Sequence, residues 1–570
     1  MELLLQCVAL FVIIAVSLLG PGLYFTHRMT LKPLERVTLA IALSASFLYL
    51  LCFAIFAFGW PPIWLWGVSG LCFFLFFFSW KSLGALFTDK DLRLCRYAFV
   101  FLAIWLSVHL LLVRNFSGGR WWGDWYEHYQ RANFFYYRPA LDIRFISYYW
   151  LPARPPLVNV LVSYWLSSVE FSFPLYQVAV AASGLLTCLP VFLFAYKVGR
   201  KNDRALLQTV FLLALSPMFL QNTLFPWTRQ FTNFLVLSGL YFYWRGIFAE
   251  RMVEVGLSLV ILAAAILAHY SAAPYAIAVF AHMLLRLGPL RLFRDKRLFF
   301  HGVASAALLA TWFAWSAVHY GAILTFGSNT TVTGARYYSQ SQVVGNIFYN
   351  LWTTFVPYWF RSVDLAILSQ DGFWSYWRDA LFLVLQTNAM GALGLSAGML
   401  FLYCLGDEIR RGAWREAEWC FWGGLSLSIV FLAMIVNERA EPFGTAHICL
   451  QPLVLLALVR VAVLALEHGV FWQAFLAAGV GTGYVFGILL HFWYLAVNYV
   501  GRPDALARAS IGTRTNWVIK DKMSVTFVGD VVAPYQLLFF AIEIALALLL
   551  FIGVYRYCLR PSRLAGLSPS

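Results

Sequence analysis

Apolar runs of about twenty residues recur along the whole chain, and no other feature constrains its fold so tightly. At 1.5 Å of rise per residue, such a run crosses a hydrocarbon core of about 30 Å. Lipid offers no hydrogen bonds to the backbone, so these runs fold as helices. Alternating strands of an outer-membrane barrel are not visible. The runs fall at roughly 3–24, 37–58, 62–80, 97–113, 174–196, 204–221, 230–248, 254–270, 272–286, 301–324, 380–405, 418–436, 446–466, 471–493 and 534–556. The expected fold is all-α: a polytopic membrane bundle of about 13–15 transmembrane helices.

The basic residues fix an orientation. The formal charge is +15, which invites a nucleic-acid partner, yet the placement of the charge argues against one. Lys and Arg gather in short links between apolar runs, as the positive-inside rule expects. His27, Arg28, Lys32 and Arg36 form one link; Lys81, Lys90, Arg93 and Arg96 a second; Lys197, Arg200, Lys201 and Arg204 a third. The strongest link holds Arg286, Arg291, Arg294, Lys296 and Arg297, and Arg410, Arg411 and Arg415 follow later. With the tail residues Arg556, Arg560 and Arg563, all fall on one side if the N-terminus is extracytoplasmic and the C-terminus cytoplasmic. This fits a multi-pass protein of the plasma (inner) membrane in contact with lipid headgroups. The run from Leu3 to about Leu23 lacks a basic leader and a small-residue cleavage site, so it reads as a retained helix. Nine cysteines are scattered, largely within apolar runs and without a CxxC pair, and read as small buried hydrophobes.

Three long polar segments then fall outside, at 114–174, 327–379 and 498–534. Loops of this length in a compact membrane protein are usually functional. The first contains Arg120–Trp121–Trp122–Gly123–Asp124–Trp125–Tyr126–Glu127–His128–Tyr129–Gln130–Arg131. Only 12% of the chain is charged, so two carboxylates, a histidine and two arginines in one stretch stand out. If Asp124 starts a helix, His128 lies one turn on along the same face and Glu127 points near it. A carboxylate partly desolvated by tryptophans suits proton abstraction from a hydroxyl. The plainer alternative is a helix-capping Asp followed by an amphipathic interfacial helix. Asp, Glu and His also leave a divalent metal open as a partner. Segments 126–137 and 157–168 read as helices lying in the interface.

At this point the sequence resembles the GT-C membrane glycosyltransferases, which include protein O-mannosyltransferases and lipid A aminoarabinose transferases. The resemblance rests on the acidic motif in the first outer loop, then on Ala153–Arg154–Pro155–Pro156–Leu157, similar to a downstream PPL element. A third element, Gly444–Thr445–Ala446–His447–Ile448–Cys449–Leu450–Gln451–Pro452–Leu453, is similar to the pattern that opens a late transmembrane helix. A weaker fourth, Leu267–Ala268–His269–Tyr270–Ser271, carries a histidine where many relatives have a lysine. Order and topology match over roughly 97–466; residues 1–96 supply additional N-terminal helices and 467–570 the C-terminal ones. The acidic element is Asp-x-x-Glu where the family has adjacent acidic residues.

The resemblance implies transfer of a sugar from a polyprenyl-phosphate donor to an acceptor hydroxyl on the extracytoplasmic face, the acceptor being lipid, glycan or protein. Asp124 would then be the base, with Glu127 and His128 orienting the acceptor or supporting a metal. Arginine forks fit phosphate oxygens. Candidates on the outer side are Arg131, Arg154, Arg229, His269, Arg361, Arg439 and His447. A rival reading is a transporter or flippase of lipid-linked sugars, which predicts ionisable residues inside the spans. The spans are nearly free of charge, Glu543 being one exception. A ligase with a diphosphate donor and a noncatalytic scaffold are further alternatives.

Overall fold

A computed structural model of the chain describes residues 2–89, 92–114, 124–146, 149–328, 340–356, 387–412, 415–436, 444, 449–489 and 526–556. Helices dominate. Among the described residues there is no β-strand, only an isolated antiparallel bridge between Phe145 and Tyr149. The protein is an all-α, multi-pass membrane bundle. Among the described residues, eight helices are long and apolar enough to cross a membrane, or up to nine if one bent pair is a single span. Several other expected spans form helices that are shorter, such as Trp64–Phe78 and Met252–Ala268.

The N-terminal helices α1 (Glu2–Thr26), α2 (Pro33–Ala57) and α3 (Trp64–Phe78) pack on one another. After α4 (Trp80–Thr88), α5 (Arg93–Leu112) leads to the segment that carries the acidic motif. There α6 (Asp124–Tyr137) begins at the aspartate that the sequence marks as a helix start. The PPL element ends in α7 (Leu157–Ser167), with Pro156 as its N-cap. Residues 125–135 of α6 are buried throughout, charged and aromatic side chains alike. The helix packs on α7. The N-terminal helices also reach this core: Trp165 Nε1 donates to Ser17 Oγ at 3.0 Å.

The expected span 174–196 appears as α8 (Phe173–Leu185) and α9 (Cys188–Val198). The span expected at 204–221 is broken. Helices α10 (Asp203–Leu215) and α11 (Pro217–Leu224) meet at 63°. Pro217 lacks an N–H and pushes Ser216 to extended backbone, and the Ser216 hydroxyl caps the second helix by accepting from Phe219 N. After this break, Phe225–Thr228 lead into α12 (Arg229–Phe248). Next, α13 (Met252–Ala268) packs along α12 and ends at His269. A 3₁₀ turn, Tyr270–Ala272, joins it to α14 (Ala273–Leu287). Then come α15 (Pro289–Arg294) and the long α16 (Lys296–Gly327), which is kinked at Gly321.

Later elements are α17 (Gln340–Phe355), α18 (Ala389–Leu393), α19 (Leu395–Arg410), α20 (Ala417–Val436), α21 (Gln451–Glu467) and α22 (Val470–Tyr484). Gly394, at φ 90°, separates α18 from α19 inside the expected span 380–405. Helix α21 opens at Gln451–Pro452, as the late motif predicts. Gly444 of that motif has φ +112°, and a Cβ there would lie 2.6 Å from the carbonyls of Thr353 and Thr387, so only glycine fits. The chain closes with α23 (Val528–Val531) and α24 (Gln536–Val554).

Candidate active site

Glu127 and Arg131 share one face of α6, four residues apart. Arg131 donates from Nε to Glu127 Oε1 at 2.8 Å, with Nη2 at 2.7 Å from the same oxygen. Both side chains are essentially inaccessible to solvent. Arg131 also donates from Nη1 to the Leu151 carbonyl (2.7 Å) and from Nη2 to that of Trp150 (3.0 Å). Its guanidinium lies 4.3 Å from the Phe145 ring centroid. It therefore ties α6 to the turn leading into the PPL element.

Arg154 approaches from that element. Its Nη2 stands 3.6 Å from Glu127 Oε2, and its guanidinium packs 4.6 Å from the Tyr149 ring centroid. Glu127 thus faces two arginines, one on each oxygen. Burial raises its carboxyl pKa, but Arg154 and Arg131 outweigh it and hold the group below the usual carboxylate range. Glu127 is an ionised counter-ion, committed to the guanidiniums.

His128 is different. Burial, with Arg131 and Arg154 nearby, pushes its pKa down to about 3, against the pull of Glu127 and Asn159. It is neutral at physiological pH. Its Nδ1 pairs with Asn159 Oδ1 at 3.2 Å; the oxygen can only accept, so Nδ1 carries the proton and Nε2 the lone pair. His269, at the end of α13, is also neutral. Burial first, then Arg229, Arg154 and His128, hold its pKa well below the ordinary value. Its Nδ1 accepts from the Ser271 backbone N–H at 3.1 Å, leaving the proton on Nε2. Tyr270, beside it, donates to the Pro152 carbonyl at 3.1 Å and so couples this turn to the PPL element.

Arg229 is the first residue of α12, and its guanidinium stacks 3.9 Å from the Trp227 ring centroid. A helix N-terminus adds partial positive charge at that point. The Thr228 hydroxyl at the cap position is buried and makes no hydrogen bond among the described residues. Arg131 and Arg154 flank the Glu127 carboxylate, and Arg154 and Arg229 both lie near His269. Guanidinium forks suit phosphate oxygens.

The structure thus brings together Glu127, His128, Arg131, Arg154, Arg229 and His269. Asp124 heads α6 one turn before His128, and its side chain lies outside the described residues. Arg361, Arg439 and His447 also lie outside them, as does the tryptophan pair Trp121–Trp122. Sequence reasoning missed Asn159, Tyr270 and Trp227. Asn159 carried a signal, being polar near the start of an otherwise apolar α7. No group of three or more His, Cys, Asp and Glu residues is placed to hold a metal among the described residues. Glu127 is spent on arginines and His128 Nδ1 on Asn159, so the described side chains do not fit a metal site.

A search of solved structures finds the chain similar to two proteins. One is ArnT from Cupriavidus metallidurans bound to undecaprenyl phosphate, at 17% identity and a TM-score of 0.44, covering 81% of this chain and 78% of that one. Its apo state gives 16% and 0.43 over 82% and 78%. The other is arabinosyltransferase EmbB from Mycobacterium smegmatis, at 13% and 0.38, covering 86% of this chain and 44% of that one. No protein-family model and no curated protein matches the sequence. At such identities the chemistry has to come from the site itself.

Proposed function

We infer that this protein is a glycosyltransferase that moves a sugar from a polyprenyl-phosphate donor to an acceptor hydroxyl at the extracytoplasmic face. The observation that carries this reading is the gathering of Arg154, Arg229 and His269 beside the helix headed by Asp124. Arg154, Arg229 and the Nε2–H of His269 bind the donor phosphate. Arg131 and Glu127 set the position of Arg154 and of the loop under it. His128, neutral, accepts a hydrogen bond from the acceptor through Nε2.

In the reaction, the acceptor oxygen forms a bond to the anomeric carbon as the bond from that carbon to the phosphate oxygen breaks. Asp124 takes the acceptor proton, and the electron pair leaves with the polyprenyl phosphate. Preorganised cations stabilise charge growing on the leaving oxygen, an effect worth several kcal/mol. The core is 97–466, flanked by helices 1–96 and 467–570, in the inner membrane with the N-terminus outside. Arg361, Arg439 and His447 are further phosphate candidates on the same side.

A second reading, transport of the lipid-linked sugar, has one observation in its favour: Glu543 and His109 pair inside spanning helices. Turnover decides between them. Purified protein given a polyprenyl-phosphate sugar and an acceptor should release polyprenyl phosphate. Movement of intact donor across a vesicle membrane without that release would favour transport.

A further inference from the structure

The last helix is anchored inside the membrane by a polar contact. Glu543 lies seven residues into α24, about 10 Å along its axis, and is fully buried. His109 Nε2 of α5 stands 3.2 Å from Glu543 Oε1, and the Tyr484 hydroxyl of α22 donates to the same oxygen. His109 Nδ1 is 2.7 Å from the Trp105 carbonyl, which can only accept, so Nδ1 carries a proton. Three helices, α5, α22 and α24, thus meet at Glu543.

From that anchor a continuous set of contacts climbs to the site. Gln536 Nε2, at the head of α24, donates to the carbonyls of Leu111 (2.8 Å) and Gly529 (2.9 Å). Gly529 N donates to Val113 O at 3.1 Å, and a Cβ at Gly529 would sit 2.3 Å from that oxygen. Arg114 Nε pairs with Asp530 Oδ1 at 3.0 Å, and Asp530 Oδ2 accepts from Phe527 N at 3.2 Å. Val528 N donates to Gln177 Oε1 at 2.9 Å. Phe527 then packs against Trp125, with ring centroids 5.4 Å apart, and against Phe173 at 5.1 Å. Trp125 is the residue after Asp124.

We propose that this C-terminal strut holds the first turn of α6 in place, making Asp530, Arg114 and Glu543 positioning residues for Asp124. The proposal rests on the reading of Asp124 as the base. Its logic is geometric. The phosphate-facing groups come from the PPL element, α12 and the turn after α13, none of which the strut touches in the contacts above. The start of α6 is what the strut presses on. Loosening it should displace the base and leave the donor's binding groups where they are.

The test uses the full-length protein in lipid nanodiscs, with variants Arg114→Asp, Asp530→Arg, their double exchange, and Gly529→Ala. Two readouts are taken: amide hydrogen exchange over residues 124–128, and kcat and KM for a polyprenyl-phosphate sugar. Each single variant should speed exchange in the first turn of α6 and lower kcat about tenfold or more, since a misplacement near 1 Å costs up to about a hundredfold. KM should stay within about twofold, because the phosphate contacts are intact. The double exchange should restore both readouts. Unchanged exchange, or a KM effect with kcat intact, overturns the proposal. Gly529→Ala leaves both charges in place and carries the test if a charge variant fails to fold. Should the wild type show no turnover, the reading of the function falls, and exchange alone still decides the strut.

Discussion

Glu127 and Arg131 form a buried ion pair one helical turn apart, and Arg154 closes on the other carboxylate oxygen. The three groups join α6 to the PPL element. Loss of Glu127 would leave two guanidiniums facing each other without their counter-ion.

Glu127→Leu should therefore be strongly destabilising, by about 3–5 kcal/mol, the usual cost of breaking a buried pair from one side. The double variant Glu127→Leu/Arg131→Met should recover much of that loss, because the two most deeply buried charges leave together and Arg154 is partly exposed. Thermal unfolding in detergent checks both, and a single variant as stable as wild type would show that the pair is not a joint.

His128 gives stability a pH dependence with a definite sign. Its pKa is about 3 folded against about 6.5 for an unfolded histidine. Below pH 6.5 the unfolded chain binds a proton that the folded chain refuses, so stability falls as pH drops from 6.5 toward 3. The slope approaches 1.4 kcal/mol per pH unit at most, as an order-of-magnitude limit. His269, also held neutral, adds in the same direction. Melting temperature measured at pH 7 and pH 5 should fall less for His128→Asn than for wild type. Equal falls would mean that His128 titrates normally.

Under the proposed function, Arg229 and His269 contact the donor phosphate in different ways. Arg229→Ala should lower kcat about a hundredfold, as loss of a charge-stabilising donor does, and Arg229→Lys should recover only part, for want of the fork. His269 is a neutral donor through Nε2. His269→Gln should therefore hold donor affinity within a few-fold, whereas His269→Ala should weaken it about tenfold, near the worth of one hydrogen bond. Titration of binding with polyprenyl phosphate separates these cases; equal losses for both substitutions at His269 would rule out the donor role.

Much of the architecture was legible because membrane helices announce themselves by length and apolarity. The start of α6 at Asp124, of α7 at Leu157 and of α21 at Gln451 all followed local signals: a capping aspartate, a proline pair and a proline in the first turn. What hydropathy averages away is a break. The bend between α10 and α11 hangs on Ser216 and Pro217 within an apolar stretch, and the separation of α18 from α19 hangs on Gly394. The convergence of Arg154, Arg229 and His269 was legible only as a common side of the membrane. Their approach to α6 depends on how α12 and α13 pack, which no local pattern encodes. The i, i+4 spacing of Glu127 and Arg131 did encode their pair, and it changes the weight of the motif. It leaves Glu127 neutralising arginines, so the proposed function assigns proton abstraction to Asp124. Phe527 against Trp125, by contrast, joins distant parts of the sequence and had no signal at all.

The most direct test of the account is turnover of a polyprenyl-phosphate sugar by purified Asp124→Asn beside wild type, each with and without a chelator. The account predicts that the folded variant binds polyprenyl phosphate as wild type does and loses at least about a hundredfold in kcat, the usual scale for removing a general base. Chelator sensitivity of the wild type would show whether a divalent metal takes part. Full activity in a folded Asp124→Asn protein would contradict the account.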